Sequence, residues 1–382
     1  MAETRHTATT LMALMAAGNS QALNTPEHNE VQYRVSQYQQ QKYPENRVSS
    51  GSIDTYQIEI HQLGLRQKLA EQWLFSLNAS QESMSGASVL QTFENASGQS
   101  QMIVSGASIS EQRRDIAING ERYFPRGKAG LGYYQSNEND YTSQGVNVSG
   151  LFEFNSALST IGFSFAQSND ELHPTDPQLG VNRQLASGEQ KSQQEWYLSA
   201  SQVLNKYEVI QLSYGQRRLN GYLSDPYRNI DRRPEQRSAR IASFNYRFYV
   251  KPLAGAIHSD YRFYQDDWQV TSHTISFGWH QDLSRWFRWR FITRLYRQQQ
   301  AEFYSLAGTD SGDLQSNDAR LSSYGALAAT IGADITVRNW RLSADWQQYQ
   351  SRESWGPGGN NNPEAPGLVH YQMLSFGLLY RY

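Results

Sequence analysis

The fold is decided by residues 286–298, which read Trp-Phe-Arg-Trp-Arg-Phe-Ile-Thr-Arg-Leu-Tyr-Arg-Gln. Alternate positions form two sets, Phe287, Trp289, Phe291, Thr293 and Leu295 on one side and Arg288, Arg290, Arg294 and Gln298 on the other. Successive side chains of a β-strand point to opposite faces, whereas a helix would scatter these arginines around its circumference. The stretch therefore predicts a strand with one apolar face and one basic face.

The same alternation recurs from about residue 30 to the end of the chain. Further apolar rows are Tyr56, Ile58 and Ile60; Trp73, Phe75 and Leu77; Ile116 and Ile118; Phe244, Tyr246 and Phe248; and Trp340, Leu342, Ala344 and Trp346. In a soluble sandwich these rows would form the core. In a transmembrane β-barrel they face lipid, while the polar rows face a wet lumen.

Connection lengths favour the barrel. Short turns are expected near Gly64, 124–127, 155–157, 205–206, 251–252, 282–284 and 337–339, and long polar loops near 40–51, 80–110, 168–192, 219–238, 301–319 and 353–366. Short connections on one side and long ones on the other are typical of outer-membrane barrels. We predict an all-β, antiparallel up-and-down barrel of about 16 strands (roughly 14–18), with short periplasmic turns and long outer loops. The segment 80–110 could contain an additional hairpin.

The end of the chain is the most specific signal. One face of the last predicted strand carries Leu374, Phe376, Leu378, Tyr380 and Tyr382, and the last of these is an aromatic terminal residue. This pattern resembles the signal that the barrel-assembly machinery reads by strand pairing. We expect that machinery and the lipid bilayer of the bacterial outer membrane to be partners of the chain.

Composition excludes several other classes. The mean hydropathy is −0.69, yet 24 Tyr, 15 Phe and 9 Trp argue against disorder. With no cysteine, the chain can form no disulfide, thiolate nucleophile or cysteine-ligated metal site. The net charge of −2 gives no general attraction to nucleic acid, so we expect no nucleic-acid partner.

The first residues resemble a weak signal peptide. The short apolar run 10–18 follows Arg5 and His6 and precedes Ser20-Gln21-Ala22, a small-x-small site. We therefore expect a signal peptide or leader over 1–22 and a single barrel domain over 23–382. A disordered leader or part of a helix is the alternative.

Short motifs spread over most of the chain resemble one family. They are Ser85-Gly86-Ala87-Ser88 and Ser105-Gly106-Ala107-Ser108; Arg122-Tyr123-Phe124 and Asp140-Tyr141; Leu223-Ser224-Asp225-Pro226-Tyr227-Arg228 with Arg233-Pro234; Asp260-Tyr261-Arg262-Phe263-Tyr264 through Asp267-Trp268; Ser272-His273-Thr274; and Ala301-Glu302-Phe303-Tyr304. In this order they resemble the Gram-negative outer-membrane β-barrel family catalogued as domain of unknown function 3570. One departure is Val89, where the family usually has proline.

The resemblance implies a functional context rather than a catalytic residue. Members are typically encoded beside an FMN transferase, a thioredoxin-like protein and a small lipoprotein. We therefore expect a barrel linked to a periplasmic redox or flavinylation system, with the lipoprotein as a possible plug. We expect no cofactor bound directly to this chain, and the sequence leaves open whether a partner carries FMN.

The polar faces of the second half form the first candidate site. They carry Arg247, Arg262, Arg288, Arg290, Arg294 and Arg341, against Asp260 and Asp345. A charged channel wall can select anionic solutes or dock an acidic plug. The alternative is an ordinary ladder of arginine–carboxylate contacts that fills the barrel.

A predicted outer loop forms the second candidate site. It contains Ser224, Asp225, Pro226, Tyr227 and Arg233. Asp-Pro favours turn initiation. The loop either folds inward to constrict the pore or bind a partner, or it is a solvated turn.

Catalysis has little support in the sequence. The eight histidines are scattered, and no zinc-type spacing, P-loop or nucleophile elbow occurs. A hydrolase would need His258, His273 and Asp267 to meet at the loop rim. Calcium binding at Asp266-Asp267 is weaker still, because paired carboxylates in a turn are usually just solvated.

Three functions remain after this reasoning. The first is a non-enzymatic channel or scaffold serving a periplasmic redox system. The second is a free-standing porin with mild anion preference, and the third is an outer-membrane hydrolase. The sequence ranks them in that order.

Overall fold

The architecture is that of a computed structural model, which describes residues 25–105, 109–306, 313–357 and 367–382. Residues 1–22, the expected leader, lie outside this range. The described residues form a closed barrel of sixteen strands, each pairing with its sequence neighbours. The strands are β1 Glu30–Gln40, β2 Gln57–Ala70, β3 Trp73–Gly86, β4 Ile109–Phe124, β5 Gly127–Glu138, β6 Tyr141–Phe154, β7 Ser159–Leu172, β8 Gln190–Asn205, β9 Glu208–Gly221, β10 Gln236–Val250, β11 Gly255–Asp266, β12 Thr271–Asp282, β13 Phe287–Gln298, β14 Tyr324–Val337, β15 Trp340–Arg352 and β16 Tyr371–Arg381.

Closure is made by the first and last strands. β1 pairs antiparallel with β16 from Glu30↔Arg381 to Gln40↔Tyr371. A closed ring satisfies every inter-strand backbone group, which hydrocarbon requires because it offers no hydrogen-bonding water. The predicted fold class and strand number are confirmed.

The outward face carries the apolar rows. Its exposed large side chains include Phe291, Leu295, Ile331, Ile335, Trp340, Leu342, Trp346, Leu374, Phe376 and Leu378. Register places them side by side, for example Phe291 opposite Ile331 and Ile331 opposite Trp346. A continuous apolar surface of this kind is the lipid-facing band of a membrane barrel.

The two rims differ in the length of their connections. On the rim that holds both chain ends, the seven turns have two to four residues, such as Glu71–Gln72 and 283–286. Six of the eight connections on the other rim are long, and they run over 41–56, 87–108, 173–189, 222–235, 299–323 and 353–370. The other two, 139–140 and 267–270, are short. The long-loop rim is the outer one, because outer-membrane barrels carry their long loops outside.

The outer loops contain small elements of their own. Strands Val48–Ser50, Ser100–Val104 and Val89–Glu94 form a three-stranded sheet, and Asp231–Arg232 pairs with Gln315–Ser316. The hairpin suspected within 80–110 is therefore present, but it lies outside the barrel wall. A six-residue helix, α1 (Val181–Ala186), lies in the loop 173–189. None of the described helices has the length and apolar character needed to cross a bilayer.

Two local predictions are wrong. Gly64 lies inside β2 rather than in a turn, and the turn falls at Glu71–Gln72. Ile58 and Ile60 face the lumen, because their neighbours Glu59 and His61 share the outward face with Leu63, which is 48% exposed. The outer end of β2 rises above the apolar band, where water contacts the outward face and no longer requires apolar side chains there.

Candidate functional site

The outer loops pack on one another at the outer rim of the barrel. We call residues 222–235, 299–306 and 313–323, together with the hairpin 89–104, the loop cap. Thr92 Oγ1 donates to Asn317 O at 2.8 Å, and Asn317 Nδ2 donates to Thr92 O at 3.1 Å. The amide of Asn229 donates to Leu90 O at 3.1 Å. These contacts join three loops that are far apart in sequence.

Charged side chains hold the centre of the loop cap. We call Asp225, Asp231, Asp318, Arg228, Arg233 and Arg320 the cap ion cluster. Its three carboxylates balance its three guanidiniums, so the group carries no net charge.

Asp318 is the hub of this cluster. Its carboxylate lies 2.8 Å from Arg233 Nη2 and 3.3 Å from Arg228 Nη2, and it also pairs with Arg320. Asp318 is fully buried. Its Oδ1 accepts from the Arg320 amide at 3.0 Å, which starts the short turn Ala319–Leu321. One carboxylate thus ties the loop 222–235 to the loop 299–323.

The other two aspartates lie within the loop 222–235. Asp225 accepts from the Tyr227 amide at 3.0 Å, which forms the turn at Pro226, and it pairs with Arg320 Nη2 at 3.0 Å. Asp231 pairs with Arg233 Nε at 2.8 Å and accepts from Ser316 Oγ and the Asp225 amide. Both aspartates are buried, so the turn is packed rather than solvated.

Burial and neighbouring charges oppose each other in setting the pKa values here. Burial alone would raise the pKa of Asp318, but Arg228, Arg320 and Arg233 outweigh it and hold that pKa well below its usual range. The pKa of Asp225 is likewise lowered, because Arg320 and Arg228 overcome the effect of burial. The pKa of Asp231 is raised, because burial exceeds the effect of Arg233.

The loop cap is therefore expected to loosen in acid. The lowered pKa values of Asp225 and Asp318 stabilise the closed cap above the ordinary aspartate pKa of about 4, and this stabilisation is lost progressively as pH falls below it. The raised pKa of Asp231 has the opposite effect on the pH dependence of cap stability. It comes from one carboxyl group, whereas two carboxyl groups have lowered pKa values. Planar-bilayer conductance should rise as pH falls from about 4 toward 2. Opening on alkalinisation from neutral pH, with none in acid, would contradict this sign.

An apolar cluster fixes the loop cap to the barrel rim. Trp268, Val270, Ala301 and Leu321 are buried together, and Phe303 packs edge-on against Trp268. Trp268 belongs to the short connection 267–270, and its Nε1 donates to Gln236 O at 2.8 Å. The rim is thus held both by apolar packing and by a satisfied indole donor.

The outer half of the lumen is filled by side chains. Lys191 and Glu195 on β8, Ile241 on β10 and Gln298 on β13 are all buried on inward positions. Gln298 Nε2 donates to Arg320 O and to Ser322 O, both at 2.8 Å, which ties the wall to the loop cap. This half therefore has the packing of a protein interior.

Along β10–β13 the inner half of the lumen is wet and charged, whereas beside β3 and β4 it holds Leu74 and Tyr123, which are buried. The side chain of Arg247 is 37% exposed and lies 2.6 Å from Asp260, and that of Arg288 is 49% exposed and lies 2.6 Å from Asp282. Turns of two to four residues at this rim are too short to fold over the mouth of a sixteen-stranded ring.

Arg290 makes the most elaborate contact of the inner half. It pairs with Asp334 and with Asp345, each at 2.5 Å, and Arg34 reaches Asp345 at 2.8 Å. Gly332 makes room for this group, because a Cβ there would lie 2.2 Å from Asp345 Oδ1. The four strands β1, β13, β14 and β15 are linked by these contacts.

The similarity of the whole chain to known proteins agrees with this geometry. A family model described as "Protein of unknown function (DUF3570)" matches residues 4–378. The chain belongs to the DUF3570 family. No curated protein matches the sequence of this DUF3570 barrel.

Solved structures support the membrane assignment. "Bacterial polysaccharide outer membrane secretin" is similar to the DUF3570 barrel with a TM-score of 0.51 and 11% identity, over 95% of this chain and 100% of that one. "CdiB from Acinetobacter baumannii" gives a TM-score of 0.52 and 9% identity, over 93% of this chain and 60% of that one. At such identities the likeness shows the fold alone. The DUF3570 barrel is a bacterial outer-membrane protein in contact with the lipid bilayer.

The predicted lumen residues all take inward positions, but they divide into two groups. Arg247, Arg288 and Arg290 pair with carboxylates, as an ordinary ladder would require. Among the described residues, Arg262, Arg294 and Arg341 form no ion pair. The ladder interpretation therefore fits the first subset, and the anion-selecting or plug-docking interpretation stays a prediction for the second.

The predicted outer-loop residues of the DUF3570 barrel lie together in the loop cap. Ser224 Oγ accepts from the Arg233 amide at 3.0 Å. Tyr227 Oη accepts from the Thr175 amide at 3.2 Å and contacts the loop 173–189. The sequence did not identify Asp318 and Arg320 as partners of this loop, because nothing in residues 317–320 signals a contact with residues about ninety positions earlier.

The residues required by the hydrolase hypothesis do not meet. His258 faces the lumen beside Arg247, whereas His273 lies on the outward face and contacts Tyr261 Oη at 2.8 Å. Asp267 is held at the outer turn by the Ser238 amide at 2.9 Å. The wall of the DUF3570 barrel therefore separates the two histidines. The sequence did not single out a different pair, His258 and His280, whose rings lie 4.2 Å apart in the lumen.

Two groups of neighbouring carboxylates have the chemistry of a cation site. Asp266, one of the predicted calcium pair, is already used by Arg237, Tyr264 and the amides of Trp268 and Val270. Glu111, Glu138 and Asp140 bring carboxylate oxygens within 4.8 Å of one another at the outer end of the lumen. Arg113 Nε lies 3.7 Å from Glu138, so part of this charge is already balanced.

Proposed function

We propose that this barrel is a non-enzymatic channel or scaffold of the outer membrane, closed toward the outside by the loop cap and accessible from the periplasm. One observation carries the proposal, namely the contrast between the two halves of the lumen. Lys191, in the outer half, is 7% exposed, whereas Arg288, in the inner half, is 49% exposed.

The channel and scaffold functions differ in whether the loop cap opens. A channel needs the loop cap to move, while a scaffold uses the wet inner half to hold a periplasmic partner. In both, the charged inner wall supplies recognition, because a basic surface inside a low-dielectric ring focuses its field on anionic groups. Purified wild-type barrel in planar bilayers is expected to show little conductance at neutral pH. Large, steady conductance would overturn the closed state.

A free-standing porin with mild anion preference is the second candidate. The observation in its favour is that Arg262 and Arg294 have no carboxylate partner among the described residues. Within the described residues, the set that the catalytic alternative requires, His258, His273 and Asp267, is not brought together.

Arginines without a carboxylate partner are expected to determine the preference of the open barrel for anions over cations. In a barrel opened by acid, Arg262→Gln with Arg294→Gln should shift the reversal potential in a salt gradient away from anion preference. Arg288→Gln/Asp282→Asn is the matched control, since it removes an ion pair whose atoms lie 2.6 Å apart and leaves the net charge of the wall unchanged, so it should change selectivity less. An equal or larger shift for this control would show that pairing does not determine which arginines act on solutes.

The finer form of the proposal links the barrel to a periplasmic redox system and a small lipoprotein. Its support is the family's usual gene neighbours, an FMN transferase and a thioredoxin-like protein. Affinity purification in mild detergent from cells with the gene neighbourhood intact, followed by mass spectrometry and flavin absorbance, tests it. Recovery of the barrel alone would count against the link while leaving the closed barrel untouched.

We also propose that the barrel-assembly machinery recognises the last strand. Leu374, Phe376 and Leu378 lie on the outward face of β16 and are 39–52% exposed. Such a row is available to an insertase that pairs with the strand before closure.

A further inference from the structure

Two arginines lie on the outside of the barrel, where the wall leaves the apolar band. Arg218 on β9 and Arg240 on β10 are exposed and share the outward parity of Leu212 and Phe244. In the described part of the chain neither forms an ion pair. Their position on the lipid-facing surface separates them from the lumen and from the loop cap.

The aromatic residues below the two arginines indicate the level of the arginines along the membrane normal. Arg218 follows Tyr214 by four residues, and Arg240 precedes Phe244 by four on a strand of opposite direction. With a rise of about 3.3 Å per residue and a tilt of about 40°, both lie about 10 Å above those rings. Tyr214 packs against Trp196 at a ring distance of 5.6 Å, which is the composition of an interfacial aromatic girdle. The arginines therefore lie at the level of the polar part of the outer leaflet.

The strand register places the two arginines close to each other. Arg218 is opposite Ser238 and Arg240 is opposite Gln216, so the two arginines are diagonal neighbours across one strand pair. Diagonal neighbours have Cα atoms about 7–8 Å apart, within reach of long side chains that converge on one ligand. Both border a surface cleft of about 300 Å³, together with the outward-facing Gln216, Ser238 and Gln265.

The charge of this cleft favours an anion. Asp266 and Arg217 also border it, but their side chains face the lumen, where they pair with Arg237 and Glu195. Asp267 is the outward carboxylate; it accepts from the Ser238 amide at 2.9 Å and leaves a net positive charge beside Arg218 and Arg240. Guanidinium groups bind phosphate through paired, charge-assisted hydrogen bonds. The apolar surface immediately below, with Tyr214 and Phe244, supplies contacts for acyl chains but not for a free ion.

We infer that Arg218 and Arg240 form a binding site for the phosphate group of an outer-leaflet glycolipid, namely the lipid A part of lipopolysaccharide. Phosphate binds the two guanidiniums and the acyl chains lie along the outward faces of β9 and β10. This site is independent of the function proposed for the lumen.

Native mass spectrometry of the full-length barrel in detergent tests the inference, with diphosphorylated lipid A as the probe. The double variant Arg218→Gln/Arg240→Gln should bind lipid A at least about tenfold more weakly than wild type, since two charge-assisted contacts are removed. The matched control is Arg126→Gln/Arg285→Gln, which removes the same charge from exposed positions in the periplasmic turns and should bind as wild type does. Equal loss in both variants, or no loss in the first, overturns the site.

Two further arms identify the ligand. Lipid A stripped of its phosphates should lose affinity for wild type, and the double variant should no longer distinguish the two lipids. Inorganic phosphate at the same concentration as lipid A should not displace it, because it lacks the acyl contacts. Displacement at equal concentration would show a free-phosphate site and overturn the lipid assignment. Heat-modifiable gel mobility confirms that each variant is folded.

Discussion

Asp318→Ala is expected to open the loop cap while leaving the barrel folded. Asp318 holds Arg228, Arg233 and Arg320, so its removal leaves three buried or half-buried guanidiniums with two carboxylates. Breaking a buried ion pair from one side costs about 3–5 kcal/mol. Because each 1.4 kcal/mol is a factor of ten, the closed-to-open ratio should fall by about two to four orders of magnitude.

Single-channel recording measures this effect directly. Wild type should be mostly silent, and Asp318→Ala should conduct for most of the record. Asp54→Ala is the control, because Asp54 is an exposed loop residue whose partner Lys42 is exposed too. A silent Asp318→Ala barrel would show that the cap ion cluster does not keep the lumen shut.

Ile331→Arg should destabilise the barrel itself. Ile331 is 53% exposed on the outward face, between Phe291 and Trp346, near the middle of the apolar band. An arginine on the lipid face at the bilayer midplane costs about 2–4 kcal/mol. Denaturant titration of the barrel folded into liposomes gives the change in the free energy of unfolding.

The neighbouring residue provides the control for Ile331→Arg. Thr330 faces the lumen opposite Ile292 and Gln347, where an added arginine meets water. Thr330→Arg should therefore cost less than about 1 kcal/mol, as is usual for substitutions in contact with solvent. Similar costs at the two positions would mean that the inward and outward faces are assigned incorrectly.

The comparison of Ile331 with Ile58 shows where sequence patterns predict a barrel wall and where they fail. Around Phe291 and Ile331, lipid contacts one face and water the other, so the pattern assigns the faces correctly. Ile58 lies above the band, where both faces of the strand are outside lipid. Apolar and polar residues still alternate there, but the apolar side chains face inward because their contacts lie inside the barrel mouth. The turn expected at Gly64 fails for a different reason, because a Cβ there would lie 2.5 Å from Gln32 Nε2 and the glycine makes room for that side chain within a continuous strand.

The loop cap could be predicted only in part. Asp225-Pro226 signals a turn, and the concentration of charge in residues 225–233 signals a special loop. The pairing of Arg233 with Asp318 joins residues 85 positions apart, and that of Arg320 with Asp225 joins residues 95 positions apart. Loops have no periodic pattern that encodes such distant contacts. Strand parity alone places the predicted lumen residues on inward positions, whereas their ion-pair partners depend on strand register.

The contact between the two ends of the chain has a consequence for biogenesis. Ser36 Oγ and Ser375 Oγ share a hydrogen bond of 2.7 Å across 339 residues, so the seam joins the earliest and the latest parts of the barrel to be synthesised. The cylinder can be sealed only after the whole polypeptide has been exported. A product shortened at its C-terminus would not make a narrower pore. It would stay unsealed in the periplasm, where quality-control proteases would compete with insertion for it.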